Sequence, residues 1–134
     1  MSVFFSSEEL YTVLHALFDR LEEEDPEVSQ AVLDTKMAFR LGFTEPEAEL
    51  FINGKKNPLI IEYGPIEKKS DLEVDIPADM FHEIMLGELT LKKAFATGKI
   101  KLRGPIWKAF ALEKIFQYGQ KHYPDALSEL RMGS

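Results

Sequence analysis

Residues 86–116 read LGELTLKKAFATGKIKLRGPIWKAFALEKIF, and the reading of this run decides the fold. Leu91, Ala94 and Phe95 set a short helical pattern, and Gly98 follows where a glycine can take the left-handed conformation that ends a helix. From there to Gly104 the side chains alternate, Ile100 and Leu102 on one face against Lys99, Lys101 and Arg103 on the other, which is the period of a half-buried strand. Pro105 suits the first turn of a new helix, because its missing amide would be unpaired there in any case. That helix carries Ile106, Trp107, Phe110, Ala111, Ile115 and Phe116 against Lys108, Glu113, Lys114 and Gln117. So wide and aromatic a face exceeds a coiled-coil seam, and it must be covered by a sheet or by a ligand.

Upstream, Pro77 and Ala78 open a helix with Met80, Phe81, Ile84 and Met85 inward and Leu86 expected to join them, closed by Gly87. Before it Leu72, Val74 and Ile76 alternate with Asp71, Glu73 and Asp75 as a fourth strand. Met37, Phe39, Leu41 and Phe43 alternate with Ala38, Arg40 and Gly42; Ala48, Leu50 and Ile52 alternate with Glu47, Glu49 and Phe51. With Leu59 to Tyr63 and turns at 44–46 and 53–58, these segments predict an antiparallel meander. Two helices precede it. One is capped at Ser6 or Ser7, with Leu10, Val13, Leu14, Leu17, Phe18 and Leu21 as its stripe, and the other begins at Pro26. The two short helices between the fourth and fifth strands form a connection long enough to make those strands parallel, with a right-handed crossover. Tyr118, Tyr123, Pro124, Leu127 and Leu130 predict a further short terminal helix.

The 134 residues fit one domain, large enough to bury roughly two-thirds of its unfolded surface. No apolar run approaches the length of a membrane span, and the amino terminus lacks the basic and long apolar regions of a secretory signal. The absence of Cys removes disulfides, thiol nucleophiles and thiolate metal sites, and a cytoplasmic location is expected. Net charge is -7, but unevenly spread: residues 1–50 hold twelve acids and three bases, whereas residues 88–121 hold eight bases against Glu88 and Glu113. An acidic chain is a poor general nucleic-acid binder, so the local basic stretch points to an anionic headgroup or membrane surface, or else to simple decoration of exposed faces.

Motifs for chemistry are missing. His82 and Glu83 resemble half of a zincin helix, but Leu86 stands where the second histidine belongs. No serine sits in a nucleophile elbow, and Gly87, Gly98 and Gly104 are too far apart for a dinucleotide loop. The paired carboxylates, Glu47 with Glu49 and Glu73 with Asp75, lie on the polar faces of strands. No catalytic residue, metal or cofactor is expected. What stands out is apolar excess from Met80 to Phe116, with methionines suited to an adaptable pocket.

The segment from Val74, Asp75 and Ile76 through Phe81, Ile84, Met85, Gly87, Glu88 and Leu89 to Lys93, Ala94, Phe95, Gly98, Lys99, Ile100, Lys101, Leu102 and Gly104 resembles the sterol carrier protein type 2 family. The order of elements over about residues 8–120 is compatible with that family. The resemblance implies an α+β fold, a five-stranded mixed sheet with helices packed on one face, enclosing a hydrophobic tunnel. It implies a single lipid-binding domain over 1–134 that binds fatty acid, fatty acyl-coenzyme A or sterol without changing it. Carried onto this chain, the tunnel would be lined by Phe81, Met85, Leu89, Phe95, Ile100, Leu102, Trp107, Phe110 and Ile115. The chain departs from peroxisomal members by ending in Arg131, Met132, Gly133 and Ser134, without their targeting tripeptide.

The function expected is therefore non-catalytic lipid binding and transfer by a monomer or weak homodimer, with transient contact to anionic membranes and none to nucleic acid. The alternative is an interaction module whose apolar helix docks on a partner or on itself. A third reading, an acyl-thioester hydrolase, lacks any visible nucleophile or base.

Overall fold

Capping fixes where the first helix begins. The Ser6 hydroxyl accepts the Glu9 amide at 3.2 Å, and α1 then runs Ser7–Glu24 in the computed structural model, which describes residues 3–105 and 110–132. Leu10, Val13, Leu14, Leu17, Phe18 and Leu21 are its buried stripe, as their spacing requires. Asp25 ends α1, and Pro26 opens α2 (Pro26–Thr35).

The strands are β1 (Ala38–Thr44), β2 (Ala48–Asn53), β3 (Ile60–Tyr63), β4 (Leu72–Pro77) and β5 (Lys101–Arg103), in the order β3-β2-β1-β4-β5. β1 and β4 are parallel and the other pairs antiparallel, so the sheet is mixed. Alternation sorts its two faces. Phe39, Leu41, Phe43, Leu50, Ile52, Leu72, Val74 and Ile76 share one buried cluster with the α1 stripe. Arg40, Glu49, Glu73 and Asp75 fall on the opposite face.

Three helices complete the chain: α3 (Ala78–Met85), α4 (Leu91–Ala96) and α5 (Phe110–Met132). The structure corrects the expected crossover. β5 pairs antiparallel with β4, Glu73 opposite Arg103 and Asp75 opposite Lys101. The two helices are too short to carry the chain to the far end of the sheet. Turns at Gly87 and Gly98, both at positive φ, return it to the end where β4 finished. The parallel pairing belongs instead to β1 and β4, separated by the β2–β3 hairpin. The expected separate terminal helix is also corrected: α5 continues through Pro124 to Met132 as one helix. The expected first turn at Ile106 to Ala109 lies outside the described residues.

A buried polar contact ties α5 to the α1–α2 corner. His122 Nε2 and Asp25 Oδ2 lie 2.5 Å apart, both side chains nearly closed to solvent, and Lys121 Nζ stands 3.5 Å from the other Asp25 oxygen. The hydrogen bond from His122 holds the Asp25 carboxyl below its ordinary range, against the opposing effect of burial and with help from Lys121.

Two glycines distinguish strain from collision. A Cβ on Gly54 would meet the Met37 and Val32 carbonyl oxygens at 2.6 and 2.7 Å, whereas one on Gly98 would meet nothing but must hold φ at +76°. Gly54→Ala should cost about 2 kcal/mol or more and Gly98→Ala about 1 kcal/mol, read as shifts in urea unfolding. Equal costs would contradict the close backbone approach at Gly54.

Candidate functional site

α3 follows β4 without a loop, so its inward stripe, Phe81, Ile84 and Met85, is set against the sheet by the strand itself. Phe81 is the meeting point of three elements: its ring lies edge-on to Phe43 of β1 at 5.1 Å, Phe116 of α5 at 5.9 Å and Tyr123 of α5 at 6.1 Å. α5 is held to α3 by a hydrogen bond from Gln120 Nε2 to the Ile84 carbonyl at 2.8 Å, a carbonyl that also accepts the Gly87 amide at 3.0 Å.

Of the residues the resemblance assigns to a tunnel, Phe81, Met85, Ile100 and Ile115 are buried in the single apolar cluster, and Leu89 and Leu102 are half-buried against it. Phe95 is not brought to this layer. Its ring is 44% exposed, because α4 turns Ala94 inward and the next residue lies about 100° further round the helix. Trp107 lies outside the described residues, and Phe110 is described only as the start of α5.

Sequence reasoning missed a polar contact inside the layer. His82 Nδ1 lies 2.6 Å from the hydroxyl of the fully buried Tyr123, and the buried Phe4 ring stands edge-on to His82 at 5.9 Å. Burial raises the Tyr123 phenol and lowers His82, which favours the neutral form of both partners of this hydrogen bond. No local pattern signals this contact, since its two partners stand 41 positions apart in the chain.

A crevice between α1, α2 and the β2–β3 edge, reached by Phe18, Val32, Ile52, Leu59, Ile61 and Ile115, holds about 10 Å³. Larger hollows among the described residues are lined by polar and apolar groups together. One of about 600 Å³ lies where Ser7 and Tyr11 meet Arg40, Glu47, Glu49 and Asp75, so one guanidinium faces three carboxylates. Arg40 bonds Glu49 and Asp75; burial opposes its charge, but these bonds outweigh it and hold the guanidinium above its ordinary value. Among the described residues no group of three or more His, Asp or Glu could hold a metal, and no helix is long and apolar enough to cross a membrane.

A sheet covered on one face by apolar helices, with its chemistry confined to packing, fits a sequence match over residues 18–117 to the SCP-2 sterol transfer family. The chain belongs to that family. Lipid binding and transfer is the activity that this family and fold suggest. The chain is similar in structure to the sterol carrier protein domain 2 of Helicoverpa armigera, with 20% identity, a TM-score of 0.67, and 90% of this chain and 95% of that one covered. It is also similar to the sterol carrier protein 2 of Yarrowia lipolytica, at 19% identity and a TM-score of 0.59 with the same coverage. The palmitated SCP2L2 of Aedes aegypti gives 23% identity and a TM-score of 0.59, covering 87% of this chain and 95% of that one. These likenesses establish the SCP-2 fold.

Half-buried His82 in this SCP-2 layer has a pH signature. Asp79, Glu83 and Glu88 favour its charged form and Arg131 opposes it, but burial dominates and the folded value lies below the ordinary 6.5. The unfolded chain therefore takes up a proton that the folded protein resists. This contribution to stability is complete above pH 6.5 and declines as the pH falls below it. Urea unfolding between about pH 8 and about pH 5 should show that decline, flattened in His82→Phe; an unchanged slope would place the histidine in solvent.

Proposed function

We propose that this chain is a single-domain lipid carrier that takes an acyl chain into the apolar layer between the sheet and helices α1, α3 and α5, and releases it unchanged. The observation that carries the reading is the layer around Phe81: buried Met85, Ile100 and Ile115 continue it, and half-buried Leu89 and Leu102 bring it to the surface at the edge strand. Trp107 and Phe110 are proposed to complete its lining. Side chains of the layer yield as the acyl chain enters. Unbranched Met85 is suited to that.

The driving force is partition. At about 0.8 kcal/mol per buried CH2, a 14-methylene chain gains up to about 11 kcal/mol before ordering and association costs, which leaves room for micromolar affinity. The Aedes aegypti SCP2L2 is palmitated, and a fatty acid or fatty acyl thioester is the ligand class proposed here. The ligand undergoes no reaction, in keeping with a layer built of packing residues.

Delipidated protein titrated with a fluorescent fatty acid, then competed with palmitate, palmitoyl-coenzyme A and a sterol, tests this reading. Saturable binding displaced by palmitate or its thioester is expected. Leu102→Asp should weaken it roughly 100-fold, since an unpaired carboxylate in the layer costs several kcal/mol. Absence of saturable binding in the folded wild type, or undiminished affinity in a folded Leu102→Asp variant, would contradict the proposal.

A further inference from the structure

α4 is attached to the body of the protein by little. Ala94 is its single buried residue and Leu91 is half-buried. A six-residue helix is well below the length at which helices persist alone. Its ends are closed by its own side chains: the Thr90 hydroxyl accepts the Lys93 amide at 3.1 Å, and the Thr97 hydroxyl donates to the Ala94 carbonyl at 2.6 Å and accepts the Lys99 amide at 3.1 Å. Gly87 and Gly98 bracket it, and a Cβ on either would meet nothing within 4 Å. The segment is a projecting corner held by local hydrogen bonds.

This corner keeps two large apolar side chains in water, Phe95 at 44% and Leu86 at 40% exposure. Beside them Lys92, Lys93 and Lys99 are exposed and form no ion pair among the described residues, whereas Lys55, Lys68, Arg103 and Lys121 all do. Residues 86–101 hold four lysines against Glu88 alone, in a chain of net charge -7. The basic patch has a border: Lys99 shares a groove of about 440 Å³ with Asp79 and Glu83 of α3, and Asp79 there accepts the Val3 amide at 2.9 Å.

We propose that the α3–α4 corner docks this protein on anionic lipid bilayers, with Phe95 and Leu86 entering the acyl boundary and Lys92, Lys93 and Lys99 lying over the headgroups. Unpaired cations around exposed apolar side chains match the charge and depth profile of such a surface. The groove beside Lys99 is bordered by the acids Glu45, Asp79 and Glu83, whereas the outer side of the corner presents the lysines and the two apolar side chains, the arrangement a bilayer surface accepts. The inference rests on the carrier reading and gives it a place to exchange ligand. Met85, Leu89 and Ile100 flank the same corner and pack in or against the apolar layer, so an acyl chain leaving the bilayer meets that layer directly.

Co-sedimentation with vesicles of phosphatidylcholine alone, or of phosphatidylcholine with phosphatidylserine, tests the surface. Wild type should bind the anionic vesicles at least tenfold more tightly, and added salt should weaken that binding. Each lysine near such a surface is worth about fivefold, so Lys92→Glu with Lys93→Glu should remove at least tenfold, and Phe95→Ser should weaken binding severalfold. Equal binding to both vesicle types, no binding, or undiminished binding by both folded variants would overturn the proposal. Fatty-acid titration of the same samples separates the two readings. Wild type that takes up fatty acid in solution but ignores vesicles overturns the docking surface alone. Anionic-vesicle binding that depends on Phe95 and the lysines, without fatty-acid uptake, supports the surface and overturns the carrier.

Discussion

The edge-on packing of Phe81 against Phe43, Phe116 and Tyr123 joins the central strand of the sheet to α3 and α5. Remove it and the helical layer loses its common contact with the sheet. Its position follows from chain geometry: β4 runs into α3 without a loop, and the helix period places Phe81, Ile84 and Met85 on one side. Tyr123 comes from the other end of α5, fixed there by Asp25 with His122 and by Gln120 on the Ile84 carbonyl. The apolar layer is thus bounded by two polar ties, and inside it the His82–Tyr123 contact is a third.

The two faces of the sheet are built on opposite principles. On the helix-free face Arg40 lies between Glu49 and Asp75, and Arg103 at the edge strand contacts Glu73 and Asp75, so charges alternate across four strands. These groups are part-exposed, and such pairs contribute little stability individually. Their effect is to keep that face hydrated while matching its charges internally. Phe51 is the exception, buried on that side beneath the 64–70 loop with Lys68 Nζ 5.8 Å from its ring centre. The proposed acyl site lies on the other face, which the helices cover.

Much of this was legible in the residue order. The α1 stripe, the cap at Ser6, the alternation of Phe39, Leu41 and Phe43, and the turn at Gly98 are local signals, and each marks the element the structure contains. The direction of β5 was not legible. It depends on where two short helices return the chain, a matter of their angle at Gly87 that no local pattern records. Phe95 shows the same limit. Its type and neighbours suit a buried aromatic, but a helix of six residues is oriented by whichever single side chain finds the core, and that was Ala94. The contact of His82 with Tyr123 depends on the same tertiary placement, and the continuity of α5 through Pro124 on packing that outweighs a poor helix former.

The central claim is that the layer around Phe81 is where an acyl chain resides. The most direct measurement is intermolecular nuclear Overhauser contact between uniformly carbon-13-labelled palmitate and the protein. The account predicts contacts from the chain's methylenes to the methyl groups of Met85, Ile100 and Ile115. Contacts confined to Ile60 or Ile66, outside the helix-covered layer, or to the exposed ring of Phe95, would contradict it.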